Sequence, residues 1–344
     1  MTEIKSLLPE TLQAQLKEMG EPAFRTGQIF SWLHKGVTSF EEMTNLPAAL
    51  RSSLAQKYTL TVPEIVRCQE SRLDGTRKYL WRLADGNCIE SVFMRYHHGN
   101  TVCLSSQAGC RMGCVFCASA PMGKVRDLTP GEMLDQILFT IRDTGEPVSN
   151  LVLMGIGEPL DNYENVLTFL HLVNHAGGLA VGMRHISLST CGLVAGIDKL
   201  ASERLQLTLS VSLHAPDDET RSRLMPVNRA VGVERLFDAC RRYFQTTGRR
   251  ISYEYAMIDG VNDRAWQADL LADRLRDSAG GHVNLIPLNN VPDSPLKPSR
   301  HTEDFRKRLE RRGVTVTVRR RLGSNIDAAC GQLRRHTMDS KEKE

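Results

Sequence analysis

Four of the nine cysteines fall in one stretch of fifteen residues, Cys103-Leu-Ser-Ser-Gln-Ala-Gly-Cys110-Arg-Met-Gly-Cys114-Val-Phe-Cys117. Three of them follow the spacing Cys-x3-Cys-x2-Cys, close enough for three thiolates to grip one metal centre without help from distant parts of the chain. Sulfur ligands select zinc, copper(I) or an iron–sulfur cluster. A structural zinc site wants four closed ligands, usually as two separated pairs. A four-iron cluster held by three cysteines keeps one iron open, and an open iron can bind a substrate. Cys103 lies outside the triplet. It is either a fourth zinc ligand or a thiol with a separate task.

These residues need a scaffold. The chain is long enough for one large domain and a small one, and its 41% hydrophobic and 24% charged residues are those of an ordinary globular protein. Residues 1–60 carry apolar residues at helical spacing over 7–19, 23–34 and 48–57, broken at Gly20-Glu21-Pro22 and Leu46-Pro47. This reads as a helical accessory domain, either a packing module or one that touches nucleic acid through Arg25, Lys35 and Arg51. Residues 61–99 form a β-rich connector, with strands over 76–84 and 87–96 joined at Asp85-Gly86 as a hairpin.

From residue 100 to 335, strand patterns at 101–106, 150–155, 184–190, 206–213, 250–258 and 282–288 alternate with helices at 130–143, 162–176, 194–204, 233–246 and 263–278. Thr129-Pro130-Gly131-Glu132 supplies the first helix with a capping box and a proline at its first position. A last helix at 302–312 and a strand at 314–319 follow, and 336–344 reads as a disordered tail. The pattern predicts an α/β fold with a parallel sheet, either a partial (βα)6 barrel or a flavodoxin-like open sheet.

Active sites of such sheets form at the carboxyl ends of the strands. The first strand leads into the cysteine loop, and the second into Met154-Gly155-Ile156-Gly157-Glu158-Pro159, where two glycines let backbone approach a ligand and Glu158 can take an ammonium group. Ser189-Thr190, Ser212-Leu213-His214 and Pro287-Leu288-Asn289-Asn290 end three more strands. Read one at a time, these are turn and capping residues; together they mark one rim. Cys68, Cys88, Cys191 and Cys240 match no motif and read as packing residues.

Charge adds a second theme. The net charge is only +4, yet residues 301–344 hold twelve Lys/Arg against seven Asp/Glu. An arginine-rich run over 306–321 suits a phosphate backbone or a solvated face. The polar, proline-broken start resembles no secretion signal and no apolar run spans a membrane. The odd, scattered cysteines fit a reducing compartment, so the expected location is the cytoplasm.

The Cys-x3-Cys-x2-Cys spacing is that of radical S-adenosylmethionine (SAM) enzymes. The chain as a whole closely resembles the radical-SAM adenine C2-methyltransferases of ribosomal and transfer RNA, the RlmN family. The resemblance is carried by Phe24-Arg25-x-x-Gln28-Ile-Phe, Phe40-Glu-Glu-Met with Asn45-Leu-Pro, Ser105-Ser-Gln-x-Gly-Cys110, Gly157-Glu158-Pro, Ser212-Leu-His214-Ala-Pro, Val283-Asn-Leu-Ile-Pro-Leu-Asn289 and Ala328-Ala-Cys330-Gly-Gln-Leu.

The resemblance implies a [4Fe-4S] cluster on Cys110, Cys114 and Cys117, and a SAM site built from Gly157, Glu158, Ser189, Ser212, Leu213, His214 and Asn289. It implies two SAM molecules per turnover. Carbon 2 of adenine has no lone pair with which to attack a methyl cation. In the family, Cys330 therefore takes a methyl from one SAM, as sulfur readily does, and the second SAM yields the radical that activates that methyl. Glu90 is then the proton acceptor at carbon 2, and Cys103 the resolving thiol in a transient disulfide with Cys330. The implied partners are 23S rRNA, transfer RNA and an electron donor such as flavodoxin or ferredoxin, with the enzyme a monomer.

The sequence departs from its relatives at Pro121, Lys124 and Asp127 after the cysteine loop, and at Asn325, where an acid is more usual. Two other readings compete. The sister C8-methyltransferases (the Cfr group) share the cysteines, although Pro159 and Pro287 look like the C2 enzymes. A non-catalytic zinc-dependent RNA-binding protein would use Cys103, Cys110, Cys114 and Cys117 as ligands.

Overall fold

The computed structural model describes residues 1–276, 281–288, 295–320, 322–323, 325–326 and 333. Three short helices, α1 (Pro9–Glu18), α2 (Phe24–Leu33) and α3 (Ala48–Lys57), make the amino-terminal module, closed by a parallel pair of two-residue strands, β1 (Thr2–Glu3) and β2 (Tyr58–Thr59). The predicted apolar stripes form its own core, including Leu12, Leu16, Ile29, Leu33, Leu50 and Leu54. The module is docked on the rest of the chain by a buried ion pair between Lys5 and Asp135, by Arg142 donating to the Gly36 carbonyl at 2.6 Å, and by the Leu179 amide donating to His34 Nδ1 at 3.3 Å. Of the three cations expected to be free there, Lys35 is exposed. Arg25 and Arg51 are half-buried and paired with Glu21 and Glu41.

The connector is not a separate layer. Strands β3 (Glu64–Glu70), β4 (Arg77–Arg82) and β5 (Cys88–Met94) run antiparallel, and β5 pairs antiparallel with β6 (Thr101–Cys103), so the hairpin extends the main sheet. A small hairpin, β7 (Gln107–Gly109) with β8 (Lys124–Asp127), brackets the cysteine loop. Then come α4 (Pro130–Thr144), β9 (Asn150–Leu153), α5 (Tyr163–Asn174), β10 (Ile186–Thr190), α6 (Val194–Ser202), β11 (Thr208–Ser212), α7 (Asp218–Leu224), α8 (Asn228–Val231), α9 (Val233–Thr247), β12 (Ile251–Met257), α10 (Ala265–Arg276), β13 (His282–Pro287), α11 (Thr302–Arg311) and β14 (Thr315–Val318). Both halves of the capping box at Thr129 and Glu132 are formed. The short helices α7 and α8 were not legible as helices in the sequence. Asp217 caps the first through the Thr220 amide at 2.7 Å, with acidic residues in its first turn and Arg221 and Arg223 in its last.

From β6 through β9, β10, β11, β12 and β13 to β14, each strand lies beside the previous one, parallel and in chain order. A flavodoxin-like sheet reverses its order at a switch point. This one does not, and among the described residues it stays open between β14 and β3. It is a partial barrel with an antiparallel extension.

Strand alternation sorts the two faces. Tyr79, Trp81, Ile89, Phe93, Val102, Leu188, Leu209, Val211, Tyr253, Tyr255, Val283 and Leu285 belong to the main core. The alternate positions are largely polar: Lys78, Glu90, Cys103, Ser187, Ser189, Ser210, Ser212, Ser252, Glu254 and Asn284. Fully covered parallel strands usually read as continuous apolar runs; here one face lines a polar interior.

Candidate active site

The cysteine loop is held at both ends and in the middle. The Cys110 amide donates to the Gly123 carbonyl at 2.8 Å, the Cys117 amide to the Cys114 carbonyl at 3.0 Å, and the Val115 amide to the Leu224 carbonyl of α7 at 3.0 Å. Gly109 enters the loop with φ +85°, and a Cβ there would lie 2.0 Å from the Gly123 carbonyl oxygen. The three thiols face a cavity of about 280 Å³ at the carboxyl ends of the parallel strands, together with Gly157, Glu158, Ser189, Ser212 and His214. The sequence-predicted rim is thus gathered in one place. Cys330 and Asn289 lie outside the described residues.

Burial pushes the Cys110 thiol up to about 11 and Cys114 to about 12, and raises Cys117 as well. Three thiols that resist ionisation in one cavity become thiolates only when a cation arrives to compensate them. The donor set therefore fits a metal centre. Three sulfur donors suit zinc with a fourth ligand or an iron–sulfur cluster.

The glycines of Gly155-Ile-Gly157 have a different reason from the one expected. A Cβ on Gly155 would sit 2.4 Å from the Leu104 carbonyl oxygen, and one on Gly157 would sit 2.7 Å from the Gln107 amide. They clear the backbone of the cysteine-bearing segment, although both also line the cavity. Glu158 is 3% exposed and accepts from the Leu160 amide at 3.1 Å and the Cys191 amide at 2.7 Å. Burial raises its pKa. The side chains of Thr190 and Cys191 also bond to it, so the carboxylate is well supplied with donors where it borders the cavity.

His214 sits at φ +57°, a strained conformation for a non-glycine residue. Its Nδ1 accepts from the Ala256 amide at 2.9 Å and its carbonyl from Asn262 Nδ2 at 2.7 Å, which fixes the proton on Nε2. Burial lowers its pKa to about 3, so the ring is a neutral donor. Leu213 is fully buried in the core, and its side chain does not line the cavity. Its amide donates to the Glu254 carbonyl and its carbonyl accepts from Arg221, so its backbone groups are already engaged.

Cys103 is half-buried on β6, outside the cavity lining. Register places it opposite Val92, which is opposite Lys78, with Glu90 two residues along the same face. Glu90 forms a 2.9 Å ion pair with Lys78, both side chains almost fully buried. Burial raises the Cys103 thiol, and the cations of Arg319 and Lys78 pull it partly back. The candidate resolving thiol Cys103, the candidate base Glu90 and Lys78 therefore share one patch of sheet.

Sequence reading missed Lys78, Glu254 and Arg221, and singled out Arg319 only as part of the arginine-rich run. Glu254 and Arg319 line the cavity, and Glu254 accepts from Ser252 Oγ at 2.9 Å and Asn284 Nδ2 at 2.8 Å. The available signal was the alternation Ser252-x-Glu254-x-Ala256 within an otherwise apolar strand. The four cysteines read as packing residues divide. Cys191 and Cys240 are buried, and Cys191 also borders the cavity. Cys68, on the edge strand β3, is exposed and Cys88 half-buried, which corrects that reading.

Lys124 joins Asp127 at 2.8 Å and Asp161 at 2.9 Å, so the unusual residues after the cysteine loop pin the β8 strand. Asn325 accepts from Ser71 Oγ at 2.7 Å and the Gly323 amide donates to Asp74 at 2.8 Å, fastening the segment before Cys330 to the β3–β4 turn. The arginine-rich run is less free than its count implies. Arg306 pairs with Glu303 and Glu310, and Arg308 and Arg312 pair with Asp269.

Comparison with known proteins agrees with this geometry. Residues 104–271 match the Radical SAM superfamily, and residues 2–60 match the ribosomal RNA large subunit methyltransferase N-terminal domain. The chain is 49% identical over 342 residues to the probable dual-specificity RNA methyltransferase RlmN of Lachnospira eligens, covering 98% of this chain and 97% of that one. It belongs to the RlmN family of radical-SAM RNA methyltransferases. The RlmN of Pelotomaculum thermopropionicum is 53% identical, over 96% of this chain and 91% of its own. A crystal structure of a radical SAM methyltransferase from Sphaerobacter thermophilus superposes with a TM-score of 0.92 at 42% identity, over 96% of this chain and 99% of that one. RlmN membership implies a [4Fe-4S] cluster and SAM. Among the described residues, no helix is long and apolar enough to cross a membrane.

Proposed function

We propose that the chain methylates carbon 2 of an adenosine in 23S rRNA and of an adenosine in transfer RNA, working as a monomer in the cytoplasm with a flavodoxin or ferredoxin as electron donor. The observation that carries this reading is the shared sheet face of Cys103, Glu90 and Lys78 beside the three-thiol cavity. A simple radical generator has no need of a second thiol and a buried carboxylate there. Bound to the three thiolates, the cluster and SAM would supply the electron and the radical that removes a hydrogen atom from a methyl group, and the oxidised cluster would be the acceptor for the one electron the RNA adduct gives up.

The chain's own residues do the rest. Cys330 attacks the methyl of a first SAM as a thiolate and holds it as a thioether; the second SAM is the one consumed for the radical. Gly157, Glu158, Ser189, Ser212, His214 and Asn289 orient SAM, His214 as a neutral donor. Once the methylene on Cys330 is joined to carbon 2 and the adduct has lost one electron, Glu90 takes the proton from carbon 2. The Cys103 thiolate then attacks the Cys330 sulfur. The bond from that sulfur to the new carbon breaks, the carbon takes up a proton as a methyl group, and a Cys103–Cys330 disulfide remains for reduction.

The test is mass spectrometry of nucleosides from ribosomal and transfer RNA, with and without the gene. 2-Methyladenosine that depends on the gene in both pools is expected. Gene-dependent 8-methyladenosine alone would replace this reading with that of the sister enzymes.

A further inference from the structure

Arg221 is fully buried on α7, an unusual place for a permanent cation. Its guanidinium donates to the Leu213 carbonyl at 3.1 Å, the Ser212 carbonyl at 3.1 Å, the Cys191 carbonyl at 2.7 Å and Asn228 Oδ1 at 2.7 Å. All four acceptors are uncharged. The nearest carboxylate in this network, Asp218, is reached only through Asn228, whose Nδ2 donates to it at 2.8 Å. A buried cation bonded solely to neutral dipoles is expensive unless an anion balances it.

Two features place that anion in the cavity above. Ser212 and Cys191, whose carbonyls Arg221 holds, line the cavity with Cys114. The same helix takes the Val115 amide through Leu224, so α7 directly supports the cysteine loop. Three thiolates around an oxidised four-iron core carry one net negative charge, and reduction adds a second. Electron uptake beside a fixed cation in a medium of low dielectric is favoured, because net charge sets cluster potentials.

We infer that Arg221 is an electrostatic positioning residue. Its buried charge raises the reduction potential of the cluster, while its four hydrogen bonds fix the ends of β10 and β11 against the cysteine loop. The inference rests on Cys110, Cys114 and Cys117 being cluster ligands.

The experiment is a redox titration of the reconstituted protein, followed by the electron paramagnetic resonance of the reduced cluster. Arg221→Gln deletes the charge, and Arg221→Lys keeps it. Asn228→Asp combined with Asp218→Asn moves the carboxylate onto the guanidinium while keeping a donor and an acceptor between the two positions, and serves if Arg221→Gln does not fold. This double variant and Arg221→Gln are expected to lower the ratio of reduced to oxidised cluster at a fixed potential by roughly tenfold, about 59 mV for one electron. Arg221→Lys should stay within about threefold of the parent protein. Variants with full iron content and an unmoved potential overturn the inference alone. So does Arg221→Lys behaving like Arg221→Gln, since geometry rather than charge would then be the cause. Parent protein that takes up zinc and no iron overturns the cluster reading as well.

Discussion

The ion pair between Lys5 and Asp135 gives a sharp test of how the amino-terminal module is held. The ammonium and carboxylate are 2.5 Å apart with side chains 0% and 2% exposed, and Lys5 also donates to the Thr61 carbonyl at 2.7 Å. Burial pushes the Asp135 carboxyl up to about 7 even with that ammonium beside it. Lys5→Met leaves Asp135 with a single donor, the Thr61 hydroxyl at 2.8 Å, among the described residues. Removing one partner of a buried pair costs about 3–5 kcal/mol. Replacing both, as Lys5→Met with Asp135→Leu, removes the desolvation penalty along with the attraction, and should return stability to within about 1 kcal/mol of the parent or above it. A carboxyl whose folded pKa is raised loses stability as pH rises through that value. Asp135 without Lys5 is protonated at low pH, so the cost of Lys5→Met should be smaller at pH 5 than at pH 8. Urea unfolding followed by fluorescence, with Trp32 in the module and Trp81 in the main sheet, measures all three variants and checks that one transition is seen. A cost below about 1 kcal/mol for Lys5→Met at pH 8, or a double variant as unstable as the two singles summed, would refute the argument.

Three further outcomes are expected. His34 is buried with its pKa lowered to about 4 from 6.5, so it binds fewer protons folded than unfolded; stability is full above pH 6.5 and falls by about 3 kcal/mol toward pH 4, a loss that His34→Gln should reduce in acid-unfolding curves. Gly109→Ala, with φ +85° and a Cβ 2.0 Å from the Gly123 carbonyl, should distort the cysteine loop and cut iron bound on anaerobic reconstitution at least severalfold, whereas equal iron content would show that the loop adapts. Cys103→Ala should accumulate an RNA–protein adduct on denaturing gels, and normal turnover by that variant would remove Cys103 from the release step.

Much of the site was legible because it is written in local patterns. Cys-x3-Cys-x2-Cys, Gly157-Glu158-Pro and Ser212-Leu-His214 each end a strand, and strand ends in a sheet of sequential order meet at one rim. What escaped depends on pairing across the sheet. Nothing local to Lys78 announces Glu90; the register of β4 on β5 joins them. Arg221 looks like an ordinary helix-end arginine, and only the fold wraps it in carbonyls. Arg308 in α11 and Arg312 just after it misled in the opposite direction, because their partner on α10, Asp269, lies 39 and 43 residues away. The glycines at 155 and 157 were correctly singled out, but their conformational demand comes from neighbouring backbone.

The anchoring of the last segment also bears on the order in which the molecule assembles. Gly323 and Asn325 are tied to Asp74 and Ser71 across 249 and 254 residues of chain. Contacts of such separation carry a large loop-closure entropy, and the residues that make them are synthesised long after their partners. The hairpin bearing Glu90 is made early, and the ties of Gly323 and Asn325 to the turn before it can form only once β9 to β14, which wall the thiol cavity, have been made.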